Sequence, residues 1–325
     1  MGSDIDLEIS VVICTRNRAA QLRQALESLA VQSTPPGLAW EVVIVDNGST
    51  DDTPAVIASF ADRLPIRRAE ETTPGLSNAR NRGVAEVRGA YMLWTDDDVL
   101  LAPGWIEAYV RAIRSNPKAA VFAGKVTPVF EGAPPAWWAA ALPHLTGLTA
   151  HRDLGPEPCA LSIEGDRMPF GANFAVRTVE QRRHLYDPLL GVGPGRRRLG
   201  EETQVVRGVL QDGGEGVWVP DAEVLHQIPA ARMTVDYAGV YFRSIGETWA
   251  YLDAAGGENF MGPALSPAAR RFRGAPLWVW REWARFAVQY AIAKAFAGPD
   301  VWMQRLRMKG FYAGALDFWT RRETT

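Results

Sequence analysis

The chain has 325 residues, 47% hydrophobic and 22% charged, with a formal net charge of −2. It is long enough for one large α/β domain or two smaller ones, and its composition excludes a disordered or fibrous protein. The near-neutral charge gives no basis for a nucleic-acid partner, and no charge-free apolar run reaches the ~18 residues of a membrane-spanning helix.

Residues 9–14 are an apolar run that reads as a buried strand. Thr15-Arg16-Asn17-Arg18 follows, with Thr15 or Asn17 expected to cap a helix that carries Leu22, Leu26 and Leu29 on one face. Residues 41–45 are the next strand and residues 46–51 its polar exit. Thr50 or Asp51 is expected to cap a second helix, with Pro54 in its first turn. A short strand near residues 65–68 leads through Pro74-Gly75 to a helix over residues 76–87. Tyr91-Met92-Leu93-Trp94-Thr95 is then a strand buried on both faces, running into Asp96-Asp97-Asp98. Three carboxylates there repel one another and are costly to bury. A divalent metal carrying a phosphate is the natural counter-charge, and a solvated loop is the plain alternative.

This alternation of strands and helices predicts parallel βαβ units, whose ligands collect at the carboxyl ends of the strands. Thr15-Arg16, Asp46 and the acid triplet all fall at such ends. Further on, the pattern predicts a helix over residues 103–115 and a strand over 119–129. Residues 132–168, rich in Pro, Gly and Trp, form an irregular insert that either shapes an acceptor cleft or is a surface excursion. A strand over residues 170–176 follows, then a glycine-rich loop that reads as mobile, with Arg196, Arg197 and Arg198, which is either a lid that closes over a diphosphate or a disordered basic loop. A helix begins at Glu201-Glu202, and two short strands cover residues 217–220 and 224–226.

Beyond about Met233 the pattern is helical. From Arg270 onward there are eleven Lys/Arg and four Asp/Glu, or +7, whereas the rest carries 24 basic and 33 acidic residues, or −9. Segments 277–297 and 301–322 mix Trp and Phe with Arg, as interfacial helices do and as helices packed on a catalytic domain also do. This end is a candidate for peripheral contact with a membrane. Cys14 and Cys159 lack metal-site spacing, and residues 1–6 lack the features of a secretory signal. A cytoplasmic location is expected, with peripheral attachment at the inner face of the plasma membrane as the variant.

Residues 10–18, 45–51, 75–83 and 96–98, continued by Gly171-Ala172-Asn173, Gly200-Glu201-Glu202 and Val224-Leu225-His226, resemble the family 2 glycosyltransferases in the same order. The resemblance covers roughly residues 7–230. It implies a mostly parallel, Rossmann-like sheet of nucleotide-diphospho-sugar-binding (GT-A) type with helices on both faces, a catalytic domain over residues 1–232 and a helical extension over 233–325. It further implies metal-dependent inverting transfer, with Mg²⁺ or Mn²⁺, from a nucleotide diphosphate sugar to a hydroxyl of a glycan or lipid-linked glycan. Asp98 and His226 then correspond to metal ligands. Asp96 lies beside the metal or at the ribose, and Asp97 is turned away. Thr15, Arg16, Asn17 and Asp46 belong to the nucleotide pocket and Arg80 to the phosphates. Glu202 falls on the general base, where the family usually has Asp, and Glu201 is the reserve. The run His226-Gln227-Ile228-Pro229 is similar to a subgroup that makes bacterial surface polysaccharide. The alternatives are a sugar-1-phosphate nucleotidyltransferase, disfavoured because residues 14–22 contain no glycine, and a non-catalytic nucleotide-sugar-binding protein.

Overall fold

The computed structural model describes residues 8–165, 167–263 and 269–322. The chain divides into two compact units. One comprises the chain up to Val129, with Ala150–Arg196 and Glu201–Gln227; the other comprises Phe130–Thr149, Arg197–Gly200 and the chain from Ile228 on.

The first unit is built on one eight-stranded sheet. Its strands are β1 (Ile9–Thr15), β2 (Trp40–Asp46), β3 (Ile66–Glu70), β4 (Tyr91–Asp96), β5 (Val99–Leu101), β6 (Ala119–Phe130), β7 (Asn173–Arg177) and β8 (Glu215–Ile228). The helices are α1 (Ala19–Ala30), α2 (Thr53–Ala58), α3 (Leu76–Glu86), α4 (Trp105–Ser115) and α5 (Glu201–Gln211). The strand order is β3-β2-β1-β4-β7-β6-β8-β5. The expected parallel sheet is β3-β2-β1-β4. Beyond it β7 runs antiparallel to both β4 and β6, and β5 antiparallel to β8.

The apolar strands face two ways, as their continuous hydrophobicity requires. Ile9, Val11, Ile13, Val42, Ile44 and Leu93 meet Leu22, Leu26 and Leu29 of α1 and Trp105 and Tyr109 of α4 on one face. Val12, Val43, Val45, Met92 and Trp94 meet Ala79 and Val84 of α3 and Val205, Val206 and Val209 of α5 on the other.

The chain runs outward from β1 to β2 and β3, then returns to β4 on the other side of β1. This reversal opens a crevice at the strand ends. Register brings Thr15 opposite Asp46 and Cys14 opposite Asp96.

Two local expectations are corrected. Neither Thr15 nor Asn17 caps α1; the Ala19 N–H donates instead to Asp51 of the next loop, whose other carboxylate oxygen accepts from Thr53 at the start of α2. The two short strands over residues 217–226 are a single strand, β8. Pro220 lies outside its pairing with β5, which involves only Val224, Leu225 and His226, so no ladder bond to that neighbour is lost.

The second unit is helical, with α6 (Val235–Ala255), α7 (Leu277–Phe296) and α8 (Pro299–Arg322). α6 and α8 touch backbone to backbone. A Cβ on Gly246 would collide with the Phe311 carbonyl, and one on Gly314 with the Arg243 carbonyl. The first part of the irregular insert belongs here. Trp138 packs edge-on against Phe130, and Trp137 lies 5.6 Å from the Trp302 ring. Two cations of the glycine-rich loop are anchored in this unit rather than mobile. Arg197 lies over Tyr237 and donates to its hydroxyl (3.0 Å), whereas Arg198 lies over Tyr251 and pairs with Glu247 at 3.4 Å. Among the described residues no helix is long and apolar enough to cross a membrane.

Candidate active site

β4 delivers the acid triplet to the crevice. The strand ends at Asp96, and Asp97 and Asp98 form a turn before β5. Strand alternation therefore stops at Asp96, and Asp97 is not turned away. Its Oδ2 accepts from Thr15 Oγ1 (2.7 Å) and its Oδ1 from Arg18 Nη1 (2.9 Å). The same nitrogen donates to Asp98 Oδ2 at 3.0 Å. Burial pushes the Asp97 pKa up to about 7, against the pull of Arg18. Asp97 thus joins the β4 exit to the β1 exit. Arg18, which sequence reasoning left without a role, is the cation between two carboxylates.

His226 arrives by the short antiparallel pairing of β8 with β5, which sets it opposite Val99. The Gln227 N–H donates to the Asp98 carbonyl at 3.0 Å. His226 Nε2 then lies 3.6 Å from Asp98 Oδ1, both residues being buried. That is too long for a hydrogen bond. It approaches the ~3 Å between neighbouring ligands of an octahedral ion bound at ~2.1 Å. Among the described residues no group of three or more His, Cys, Asp or Glu side chains forms a metal cluster. An oxygen and an imidazole nitrogen in this pairing fit a hard divalent ion that also takes phosphate oxygens and water.

Arg80 of α3 is buried between two sets of acids. Its Nη2 is 3.7 Å from Asp96 Oδ1 and its Nη1 is 3.3 Å from Glu201 Oε1. Nη1 makes no hydrogen bond. The guanidinium carbon lies 5.4 Å from the centroid of Tyr186. Burial works to lower the Arg80 pKa, but Glu201 and the other nearby acids outweigh it and hold it up. Gly171 lies close against this guanidinium. A Cβ there would come within 2.7 Å of Arg80 Nη2, and the Gly171 N–H donates to Glu202 Oε1 at 3.2 Å. Glu201 and Glu202 open α5, and a helix N-terminus favours carboxylate charge. Burial, then Glu202 beside it, raises the Glu201 pKa from 4.5 to about 8. Glu202, half-buried, is the more accessible of the two.

At the β2 exit, Asp46 is fully buried. Its Oδ2 accepts from Arg68 Nε (3.0 Å) and Nη2 (2.6 Å), and its Oδ1 from the Ser49 N–H. Arg68 was missed because β3 is a weak strand with no motif of its own. Asn17 has a left-handed backbone (φ 52°), and its Oδ1 accepts from the Thr50 N–H at 2.7 Å. It ties the first polar loop to the second. Arg16 is exposed. The structure therefore brings Thr15, Asp97, Arg18, Asp98 and His226 into one contact chain, and Asp96, Arg80 and Glu201 into another. Asp46 and Asn17 lie at neighbouring strand ends with contacts of their own. Asn173 is structural: its amide is saturated by Trp105, Tyr109 and the carbonyls of Lys125 and Ala222.

An α/β sheet covered on both faces, with acids at its switch point and a buried arginine behind them, defines a GT-A-like domain. Residues 10–154 match the family model "Glycosyl transferase family 2". It is 38% identical over 106 residues to validoxylamine A glucosyltransferase of Streptomyces hygroscopicus subsp. limoneus; that stretch is 32% of this chain and 23% of that protein. The chain thus spans under a quarter of that relative's length. Among solved structures it is similar to the mannosyltransferase PcManGT from Pyrobaculum calidifontis in complex with GDP-Man and Mn²⁺ (TM-score 0.58, 16% identity, 98% of this chain and 90% of that one). It is also similar to S. aureus TarS 1-349 in complex with UDP-GlcNAc (TM-score 0.54, 14% identity, 98% and 93%).

Proposed function

We propose that the chain is a metal-dependent, inverting glycosyltransferase that moves a sugar from a nucleoside diphosphate sugar to a hydroxyl of a glycan or lipid-linked glycan. One observation carries this reading. Arg80, buried and with Nη1 lacking a hydrogen bond, stands between Asp96 of the β4 exit and Glu201 at the start of α5. A cation so placed can face the phosphates of a donor while linking the donor side of the crevice to the base side. The family model and the nucleotide sugars in the PcManGT and TarS structures support the same donor class.

The nucleotide lies along the exits of β1 and β2, with Thr15 and Asp46 as its nearest contacts and Arg16 and Asn17 at the rim. Asp98 and His226 would hold the divalent ion, with the Asp96 carboxylate close by. When bound, that ion supplies positive charge against the charge that develops on the leaving diphosphate. Glu202 accepts the proton of the acceptor hydroxyl. The freed oxygen forms its bond to the anomeric carbon as the bond to the diphosphate oxygen breaks. The electron pair leaves with the nucleoside diphosphate, and attack from the opposite face inverts the centre. Burial, which raises the Glu201 pKa, disfavours that carboxylate as the base, and Glu202 is the more accessible of the two. Residues 1–232 suffice for this chemistry in our reading, and residues 233–325 serve association.

A thermal-shift panel of UDP, GDP and dTDP, each with and without Mn²⁺, tests the donor reading. Stabilisation by one of them that grows with Mn²⁺ is the expected result. Indifference to all three would sink it.

A further inference from the structure

Exposed apolar side chains gather on one face of α7. Val288, Ile292 and Phe296 are 61%, 57% and 87% exposed, and Leu277 44%. At 100° per residue these four positions share one side of the helix, whereas Val279, Phe286 and Ala293, which are buried, share the opposite one. Among the described residues no element covers the outward side. Just before α7, Arg271–Phe272 pairs with Ala275–Pro276, and this small hairpin holds Phe272 exposed between Arg271 and Arg273.

The charge on this face has one dominant sign. Arg281 and Arg285 interleave with the apolar residues, their side chains 79% and 51% exposed. The acid among them is Glu282, which Arg285 already engages. A run of large apolar side chains left in water marks an interaction surface. The interleaved arginines select the partner. A second copy seated on this face would have to bury Arg281 and Arg285 against a surface whose acid, Glu282, is already engaged. A bilayer of anionic lipids meets both needs, because apolar side chains enter the acyl boundary while the guanidiniums stay at the phosphates.

We infer that the outward face of α7, with the Phe272 hairpin, docks on an anionic lipid surface. The helix lies in the plane of the interface and does not span it. Docking of this kind would hold the chain where a lipid-linked acceptor resides.

Flotation of the full chain with vesicles tests the inference, comparing phosphatidylcholine alone with phosphatidylcholine mixed with phosphatidylglycerol. We expect about tenfold more protein to float with the anionic vesicles, and most of that to be lost at high salt. The double variant Ile292→Glu/Phe296→Glu should stay at the bottom. Val31→Glu, at an exposed position of the other unit (76%), should float like the parent. Arg281→Glu gives a second test should the double variant lose its circular-dichroism signal. Absence of flotation with anionic vesicles, or flotation unchanged in the α7 variants, overturns the proposal. A mass doubling in solution that the variants abolish, without flotation, assigns the face to a second copy and also overturns it. Nucleotide thermal shifts measured on the same samples separate failure of docking from failure of the glycosyltransferase reading.

Discussion

His226 Nε2 and Asp98 Oδ1 stand 3.6 Å apart although 128 positions separate them in the chain. Three residues of pairing between β5 and β8 create this proximity. If the two are ligands of one ion, replacing either should weaken metal-dependent nucleotide binding while leaving the metal-free melting temperature nearly unchanged. Loss of a group that merely orients a ligand typically costs 10–100-fold in metal affinity, and loss of a ligand itself should cost at least as much. Mn²⁺ titrations of His226→Ala and Asp98→Asn, followed by thermal shift with the best nucleotide, would measure it. Affinities equal to the parent's would remove the ion from this pair.

Arg18 bonds to Asp97 and Asp98 through a single nitrogen. Replacing it with alanine leaves two buried carboxylates facing each other. Because the arginine is 38% exposed, its loss should cost only about 1–2 kcal/mol in metal-free protein. Saturating Mn²⁺ should restore part of that loss, since the ion and the guanidinium answer the same charge. Denaturant melts of Arg18→Ala with EDTA and with Mn²⁺ check both statements.

Glu201 titrates in an unusual direction for an acid. Its folded pKa, about 8, lies above the unfolded value of 4.5. The folded protein therefore holds this proton more tightly, and the stability that Glu201 allows at low pH is lost as pH rises from 4.5 toward 8. Glu201→Gln removes that dependence. The variant should gain on the parent by up to about 4 kcal/mol between pH 5 and pH 8.5. Urea melts at the two pH values decide it; a constant difference would show that Glu201 is ionised throughout.

The helical unit offers a test independent of the site. Gly246 and Gly314 permit α6 and α8 to approach backbone to backbone. Gly314→Ala should destabilise by about 2 kcal/mol or more, because the obstacle is a carbonyl of the facing helix and not a movable side chain. A melting temperature within a degree of the parent's would contradict the packing.

Much of the first unit was legible in the sequence because its strands are continuous apolar runs ending in polar residues. Thr15, Asp46 and Asp96 stand at three neighbouring strand ends for that reason. Alternation failed at Asp97 because the strand had already ended. Local capping rules failed at α1 because the acceptor, Asp51, comes from a loop more than thirty residues away. Arg18 and Arg68 carried no recognisable signal on their own, since an arginine after a strand or on a weak edge strand is ordinarily solvated. The glycine-rich loop misled for a related reason. Its glycines suggested mobility, but Tyr237, Tyr251 and Glu247, which fix Arg197 and Arg198, lie 40 to 53 positions further on.

The central claim is that Glu202 removes the acceptor proton and does not hold the donor. Glu202→Gln keeps the side chain's shape and its capacity to accept from the Gly171 N–H, but it cannot take a proton. Side-by-side measurement of nucleotide binding and sugar transfer for this variant is the most direct test. We expect nucleotide affinity within about threefold of the parent and transfer reduced by about 10²–10⁴-fold. Transfer at the parent's rate, or loss of nucleotide binding together with transfer, would contradict the assignment.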